Sequence, residues 1–373
     1  MHSEGGGGCD LANSKKSRRR EEKHMASSTG KGQRLLLMGC GSVGGVIAGG
    51  LVRAGHDVTI VTHNEAISRT IHEGGLRVIT PEEKWAVPAA AYTRLEEVAG
   101  PFDAAYLAMK GTEVEQAARE VAGYLGPQGY AVTLQNGVVE DRVGALLGRE
   151  RVIGALVGWG ATMHAPALYE MTSRGELVIG ELDGQVTPRV QLLKATLEAV
   201  APTTISANIY GALWSKLAIN CVITPLGAVT GQLLGQMLRR NMARRLALAI
   251  TSEVVDVAEA HGIVLEPVGG TLNIHRLYLP PGRRAAGLGF DLLPQHAIML
   301  LVGIKFRRLK SSMLQSIERG RRAEIDFMNG YVVERGQEKG VPTPVNAALT
   351  GMVREIEAGR RQANPGNLAE LAR

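Results

Sequence analysis

Residues 34–64 read RLLLMGCGSVGGVIAGGLVRAGHDVTIVTHN, and the order of residue types in them sets the fold. An apolar run, Leu35 to Met38, leads directly into Gly39-Cys40-Gly41-Ser42-Val43-Gly44. A small-residue helical segment follows from Val43 to Ala54, Gly55 stops it, and Val58 to Val61 gives a second apolar strand. Strand, glycine-rich turn, helix and strand in this order form the βαβ unit that binds a dinucleotide. The first glycine permits the tight turn, the second admits the backbone to the pyrophosphate, and the third lets the helix pack closely on the strand. The phosphates then meet free N–H groups at the positive end of the helix dipole. Gly39, Gly41, Ser42, Val43 and Gly44 are therefore candidate cofactor contacts. A structural glycine turn in some other α/β protein is the alternative, since GxGxxG alone is a weak signal.

The chain has 373 residues, enough for two domains with substantial cores. Its 45% hydrophobic and 21% charged content is that of an ordinary globular protein. No uninterrupted apolar run reaches the length of a membrane span, so no membrane partner is expected. The formal charge of +6 is concentrated in residues 1–34, where eight Lys/Arg stand against four Asp/Glu. That leaves about +2 for the body, which argues against nucleic-acid binding by the folded part. Cys9, Cys40 and Cys221 are too few and scattered for a disulfide framework or a metal site, and a reducing cytoplasm suits them.

Residues 1–33 hold GGGG, a KKSRRREEKH block and a small polar stretch; a disordered basic tail without a secretory core is expected. Met25 stands just before the first strand and offers a second start. Beyond the βαβ unit, a helix is expected over Glu65 to Glu73, then strands at Leu76 to Ile79, Phe102 to Met109, Tyr130 to Leu134, Val152 to Val157 and Leu177 to Glu181. Thr112 is the expected N-cap of a helix over Glu113 to Leu125. Lys110 and Asn136 fall at carboxyl ends of strands, where open α/β sheets bind ligands. From residue 206 helices dominate, at Leu213 to Cys221, Met237 to Ala260, Leu293 to Leu309, Ser311 to Glu318 and Glu324 to Lys339. Residues 264–290 read as an extended Gly- and Pro-rich connection. The expected architecture is an N-terminal Rossmann-type α/β domain over 34–205, an all-α domain over 206–360 and a C-terminal tail over 361–373.

Lys216 and Asn220 are four apart in LWSKLAIN and share a helix face. Flanking Leu213, Leu217 and Ile219 would partly bury the lysine, disfavouring its charge and making it a proton donor near neutral pH. The same spacing suits a snorkelling lysine and a surface asparagine. Ser312 and Glu324, in consecutive helical segments broken at Gly320, read singly as a cap and a solvated carboxylate.

The glycine loop, LQNG at 134–137, LWSKLAINC at 213–221, SSMLQS at 311–316 and AEIDFMNG at 323–330 together resemble ketopantoate reductase, the NADPH-dependent 2-dehydropantoate 2-reductase family, over roughly 34–350. The resemblance implies hydride transfer to the carbonyl of a 2-oxo acid, with Lys216 as catalytic proton donor aided by Glu324. It implies that Asn136 lies between nicotinamide and substrate, that Lys110 and Glu324 border the cofactor, and that Asn220 and Ser312 bind substrate. Thr224 stands where the family commonly has a second substrate-binding asparagine, and Leu309 where it commonly has another. These departures point to a bulkier or less hydroxylated 2-oxo acid as the alternative substrate, with a non-catalytic dinucleotide sensor as the alternative from another class. The connection 264–305 is long for the family, and a homodimer is a partner to consider. No acidic residue ends the second strand, and Arg69 is placed to meet a 2′-phosphate, so NADP is expected over NAD.

Overall fold

The computed structural model describes residues 32–267, 273–284 and 292–372. The basic tail expected over 1–33 therefore lies almost wholly outside the described residues, as does part of the connection after 264. The first half opens with β1 (Arg34–Met38), α1 (Ser42–Arg53), β2 (Asp57–Val61), α2 (Glu65–Gly74), β3 (Leu76–Ile79), β4 (Lys84–Val87) and β5 (Ala91–Tyr92). It continues through β6 (Phe102–Leu107), α3 (Gly111–Val121), β7 (Leu125–Thr133), α4 (Glu140–Leu147), β8 (Val152–Val157), β9 (Ala161–Ala165) and β10 (Leu168–Met171). It closes with β11 (Leu177–Glu181), α5 (Pro188–Leu197) and β12 (Thr203–Ile205).

The main sheet has eight strands in the order β12-β11-β8-β7-β6-β1-β2-β5. It is parallel throughout except where β8 meets β11. Leu35, Leu36 and Leu37 are all fully buried because helices cover both faces, which is why β1 is a continuous apolar run and does not alternate. A second sheet of four strands, β4-β3-β10-β9, packs across α1. Its β9–β10 hairpin, and helices α4 and α5, carry no periodic pattern that the sequence reading picked out.

The second half is helical: α6 (Ile209–Thr230), α7 (Leu234–Arg239), α8 (Asn241–Ala260), α9 (Pro281–Arg284), α10 (Leu293–Lys305), α11 (Ser312–Glu318), α12 (Asn329–Lys339), α13 (Pro344–Glu357) and α14 (Asn367–Leu371). Several expectations are corrected here. The helix expected over Leu213 to Cys221 runs from Ile209 to Thr230, straight through Pro225. Proline cannot donate to the carbonyl four residues earlier, and Asn329 Nδ2 donates to that Cys221 carbonyl instead, at 3.0 Å. The helix is apolar enough to cross a membrane by composition, but 78% of its apolar window is buried inside the protein, so the core accounts for its character. The helix expected over Met237 to Ala260 breaks at Arg240, which is extended and lies between α7 and α8. The helix expected from Glu324 is a 3₁₀ turn over Ile325–Phe327 followed by α12. Within the stretch read as a C-terminal tail, α14 buries Leu368 and Leu371 against the helical core, and Asn367 Nδ2 donates to the Val229 carbonyl at 3.0 Å.

Candidate active site

The site begins where β1 ends. Gly39 has φ +93°, and a Cβ there would lie 2.8 Å from the Met109 nitrogen; a Cβ on Gly44 would lie 2.1 Å from the Gly39 carbonyl oxygen. Both glycines are therefore enforced by backbone contact. Around Gly41 there is open space, and as N-cap of α1 it offers no side chain to the first-turn N–H groups. Ser42 and Val43 open the helix beside it. An uncapped helix N-terminus facing open space is a ready anion site. Tyr169, from β10, holds the turn from behind: its hydroxyl donates to the Cys40 carbonyl at 3.0 Å, and its ring packs on Gly45.

The neighbouring strand ends are tied together by a buried side chain that the sequence reading passed over. Gln135 Nε2 donates to the Leu107 and Met109 carbonyls at 2.8 and 3.1 Å, and its Oε1 accepts from the Leu134 N–H at 3.1 Å. This ties the LQNG turn, which carries Asn136, to the end of β6 just before Lys110. Gly111 itself starts α3 with Lys110 as the N-cap, so Thr112 is not the cap that sequence suggested.

The helical half seats on that corner. Lys110 Nζ donates to Ser316 Oγ at 3.0 Å and to the Arg322 carbonyl at 3.2 Å, and the Gly111 N–H donates to Glu324 Oε1 at 3.1 Å. A Cβ on Gly111 would meet the Phe327 ring at 3.0 Å, and one on Gly137 (φ +99°) would meet the Phe327 carbonyl oxygen at 2.4 Å. Arg142 lies over the Phe327 ring at 5.1 Å and pairs with both Glu115 and Glu334, stitching the two halves. Burial pushes the Glu324 carboxyl above the ordinary carboxylate range, opposed by the Gly111 N–H and the Lys110 charge. Glu324 thus sits on the positive end of α3.

Lys216 lies on α6 with Nζ donating to the Val157 carbonyl, at the end of β8, at 2.8 Å. Burial lowers its ammonium pKa from the ordinary 10.5 to about 8, and the carboxylate that opposes this fall is Glu140. Glu324 accepts from the Gly111 N–H beside Lys110, and the carboxylate whose charge bears on Lys216 here is Glu140. Glu140 is 2% exposed, accepts from Thr133 Oγ1 and from the Val139 N–H at 2.8 Å each, and is pushed up to about 7 by burial. The signal for it was present in VVED at 138–141, an acid among apolar residues just after LQNG.

Asn220 shares the Lys216 face, and its Nδ2 is buried with no hydrogen-bond partner among the described residues, leaving a donor to be satisfied. Thr224 is different: its hydroxyl donates to the Asn220 carbonyl at 2.8 Å and lies 3.2 Å from the Met328 sulfur. Ser312 is exposed at the start of α11, whereas its neighbour Ser311 is buried, donating to the Thr224 carbonyl at 2.5 Å and capping Leu314 N at 3.1 Å. Leu309 is 42% exposed, and its backbone carbonyl accepts from Leu234 N at 3.0 Å.

Residues 35–184 match the family described as Ketopantoate reductase PanE/ApbA, and residues 208–357 its C-terminal counterpart. A protein of Mesorhizobium japonicum named 2-dehydropantoate 2-reductase is 30% identical over 354 residues, covering 88% of this chain and 98% of that one. The crystal structure of a PanE/ApbA family ketopantoate reductase from Ralstonia eutropha JMP134 superposes with a TM-score of 0.74 at 29% identity, covering 88% and 99% of the two chains. A D-mandelate dehydrogenase solved with NADH and anilino(oxo)acetate has the same fold, with a TM-score of 0.75 at 19% identity over 88% and 99%.

Proposed function

The chain belongs to the ketopantoate reductase family and is an oxidoreductase, and on that footing we propose that it reduces 2-dehydropantoate to pantoate with NADPH, a step that feeds pantothenate and coenzyme A synthesis. The observation that carries this reading is Lys216, an ammonium lowered to about 8 and held at the carboxyl end of β8. NADPH, when bound, supplies the hydride. Lys216 donates a proton to the alkoxide oxygen that develops at C2, and its charge stabilises that oxygen beforehand. Asn220 Nδ2, lacking a partner among the described residues, supplies a hydrogen bond to the substrate, and Asn136 and Ser312 complete its polar contacts.

For the dinucleotide, residues 34–205 provide the uncapped turn of α1 through Gly39, Gly41, Ser42, Val43 and Gly44, with Lys110, Asn136 and Glu324 at the other end. Residues 206–360 provide the proton donor. NADP is favoured over NAD because β2 runs out into Thr62-His63-Asn64 with no carboxylate, and Arg69 on α2 is exposed with no ion pair among the described residues. Two buried free thiols, Cys40 and Cys221, fit a cytoplasmic setting, and exposed Leu293, Leu300, Leu301 and Ile304 on α10 fit a homodimer, which sedimentation velocity would test.

A less hydroxylated 2-oxo acid is the second reading, favoured by Thr224, whose hydroxyl is turned to its own helix and Met328. One panel tests both: initial rates with NADPH and NADH against 2-dehydropantoate, branched 2-oxo acids and aryl 2-oxo acids. Fastest turnover of 2-dehydropantoate with NADPH is expected. Faster turnover of an apolar acid would transfer the assignment to the second reading, and no oxidation of either cofactor would overturn both.

A further inference from the structure

Resting on the reading of Lys216 as the proton donor, we propose that Glu140 is the positioning residue whose negative charge favours the charged form of this lysine, a buried carboxylate set against β8, to which the lysine is bonded, and α6, which carries it. The geometry is specific. Glu140 begins α4, immediately after the loop that carries Asn136. Its Cγ faces Gly154 of β8, in the same spot that Ile209 and Leu213 of α6 approach. Leu213 lies one helical turn before Lys216, whose ammonium is bonded to Val157 on that same strand β8.

Thr133 Oγ1 and the Val139 N–H both donate to the Glu140 carboxylate, so the ionised form has two hydrogen bonds before the lysine contributes. Hydrogen bonds to the charged form favour it, and without them a carboxyl this buried would stay neutral. The other groups facing Glu140 are Asp141 beside it, which disfavours its charge, and the phenols of Tyr210 and Tyr331. Arg149 is taken by Asp141 and Tyr210. Lys216 is thus the cation that Glu140 serves. Glu324, the other buried acid of the site, is spent on Gly111.

The test reads the lysine directly and needs no turnover. Competitive acetylation across a pH series, followed by mass spectrometry of the peptide containing Lys216, gives its titration midpoint in wild type, Glu140→Gln and Thr133→Val. Removing the opposite charge is expected to lower the midpoint by about one unit. Thr133→Val, which removes one stabilising hydrogen bond but keeps the carboxyl, should lower it by less. The alkaline limb of kcat/KM should move to lower pH by the same amount while KM for the dinucleotide holds. An unchanged midpoint in folded Glu140→Gln overturns the proposal; should that variant not fold, an unchanged midpoint in Thr133→Val does so. Wild type that turns over no 2-oxo acid would overturn the reductase reading instead, and the acetylation midpoints would still decide whether Glu140 governs Lys216.

Discussion

In the proposed function the glycine turn at 39–44, at the end of β1, and the Lys216 face of α6, bonded at the end of β8, work by opposite means. The turn acts through what it lacks: no side chain caps α1, and two missing Cβ atoms let backbone approach backbone. The α6 face acts through two side chains, an ammonium whose charge burial has made costly and an amide without a partner among the described residues. A binding surface for a ligand with fixed charge is best made of fixed dipoles, which need no reorganisation. A proton donor must be able to change state near neutral pH, and only a titratable side chain in a tuned environment does that. The difference predicts that damage to one region is read in affinity and damage to the other in turnover.

The harshest test of that division is Lys216→Ala. It should lower kcat by roughly 10²- to 10⁴-fold, the range for loss of general acid catalysis, while NADPH affinity measured by calorimetry changes little. Near-wild-type kcat would remove the lysine from the mechanism. Gly44→Ala should do the reverse. Its Cβ would sit 2.1 Å from the Gly39 carbonyl oxygen, so the turn must open. Dinucleotide affinity is expected to weaken by at least about tenfold, or about 1.4 kcal/mol, with a milder loss of kcat at saturating cofactor. Equal losses in both variants and both readouts would dissolve the contrast.

A smaller effect comes from pH alone. The Lys216 pKa is depressed, so the donor is charged below about 8 and neutral above it. The rate of reduction should therefore be level on the acid side of that value and fall tenfold per pH unit beyond it, for kcat/KM measured at saturating cofactor. Dinucleotide affinity should not follow this limb, because the glycine turn contributes backbone dipoles that do not titrate. A rate that rises through pH 8 would mean that the lysine acts in its neutral form.

The two regions also differ in how far they could be read from residues alone. The turn was legible because its chemistry is local: GCGSVG, a small-residue helix and two apolar runs lie within one contiguous stretch. Lys216 and Asn220 were legible as a pair from spacing, but their role came from resemblance to a family. What escaped depends on contacts far apart in sequence. The helix through Pro225 survives because Asn329 supplies the missing donor 108 residues away, a repair that local propensity does not encode. That Glu140 is the carboxylate whose charge bears on Lys216 was hidden for the same reason. Both Glu140 and Glu324 lie near apolar residues in sequence, and only the packing of β8 against α6 and of the 324–328 segment against Gly111 tells them apart.

The finest test concerns Thr224, which sequence assigned to substrate binding. Its hydroxyl donates to the Asn220 carbonyl and touches Met328, so in this structure it faces protein on both sides. Thr224→Val keeps the shape, and the backbone carbonyl retains its helical hydrogen bond. The expected change in kcat/KM for 2-dehydropantoate is therefore about threefold or less, below the cost of a lost substrate hydrogen bond, which at about 1.4 kcal/mol would be tenfold. A loss beyond tenfold would mean that the hydroxyl rotates to the substrate when the cleft fills. In that case the α6 face carries three working side chains, and its contrast with the glycine turn becomes sharper.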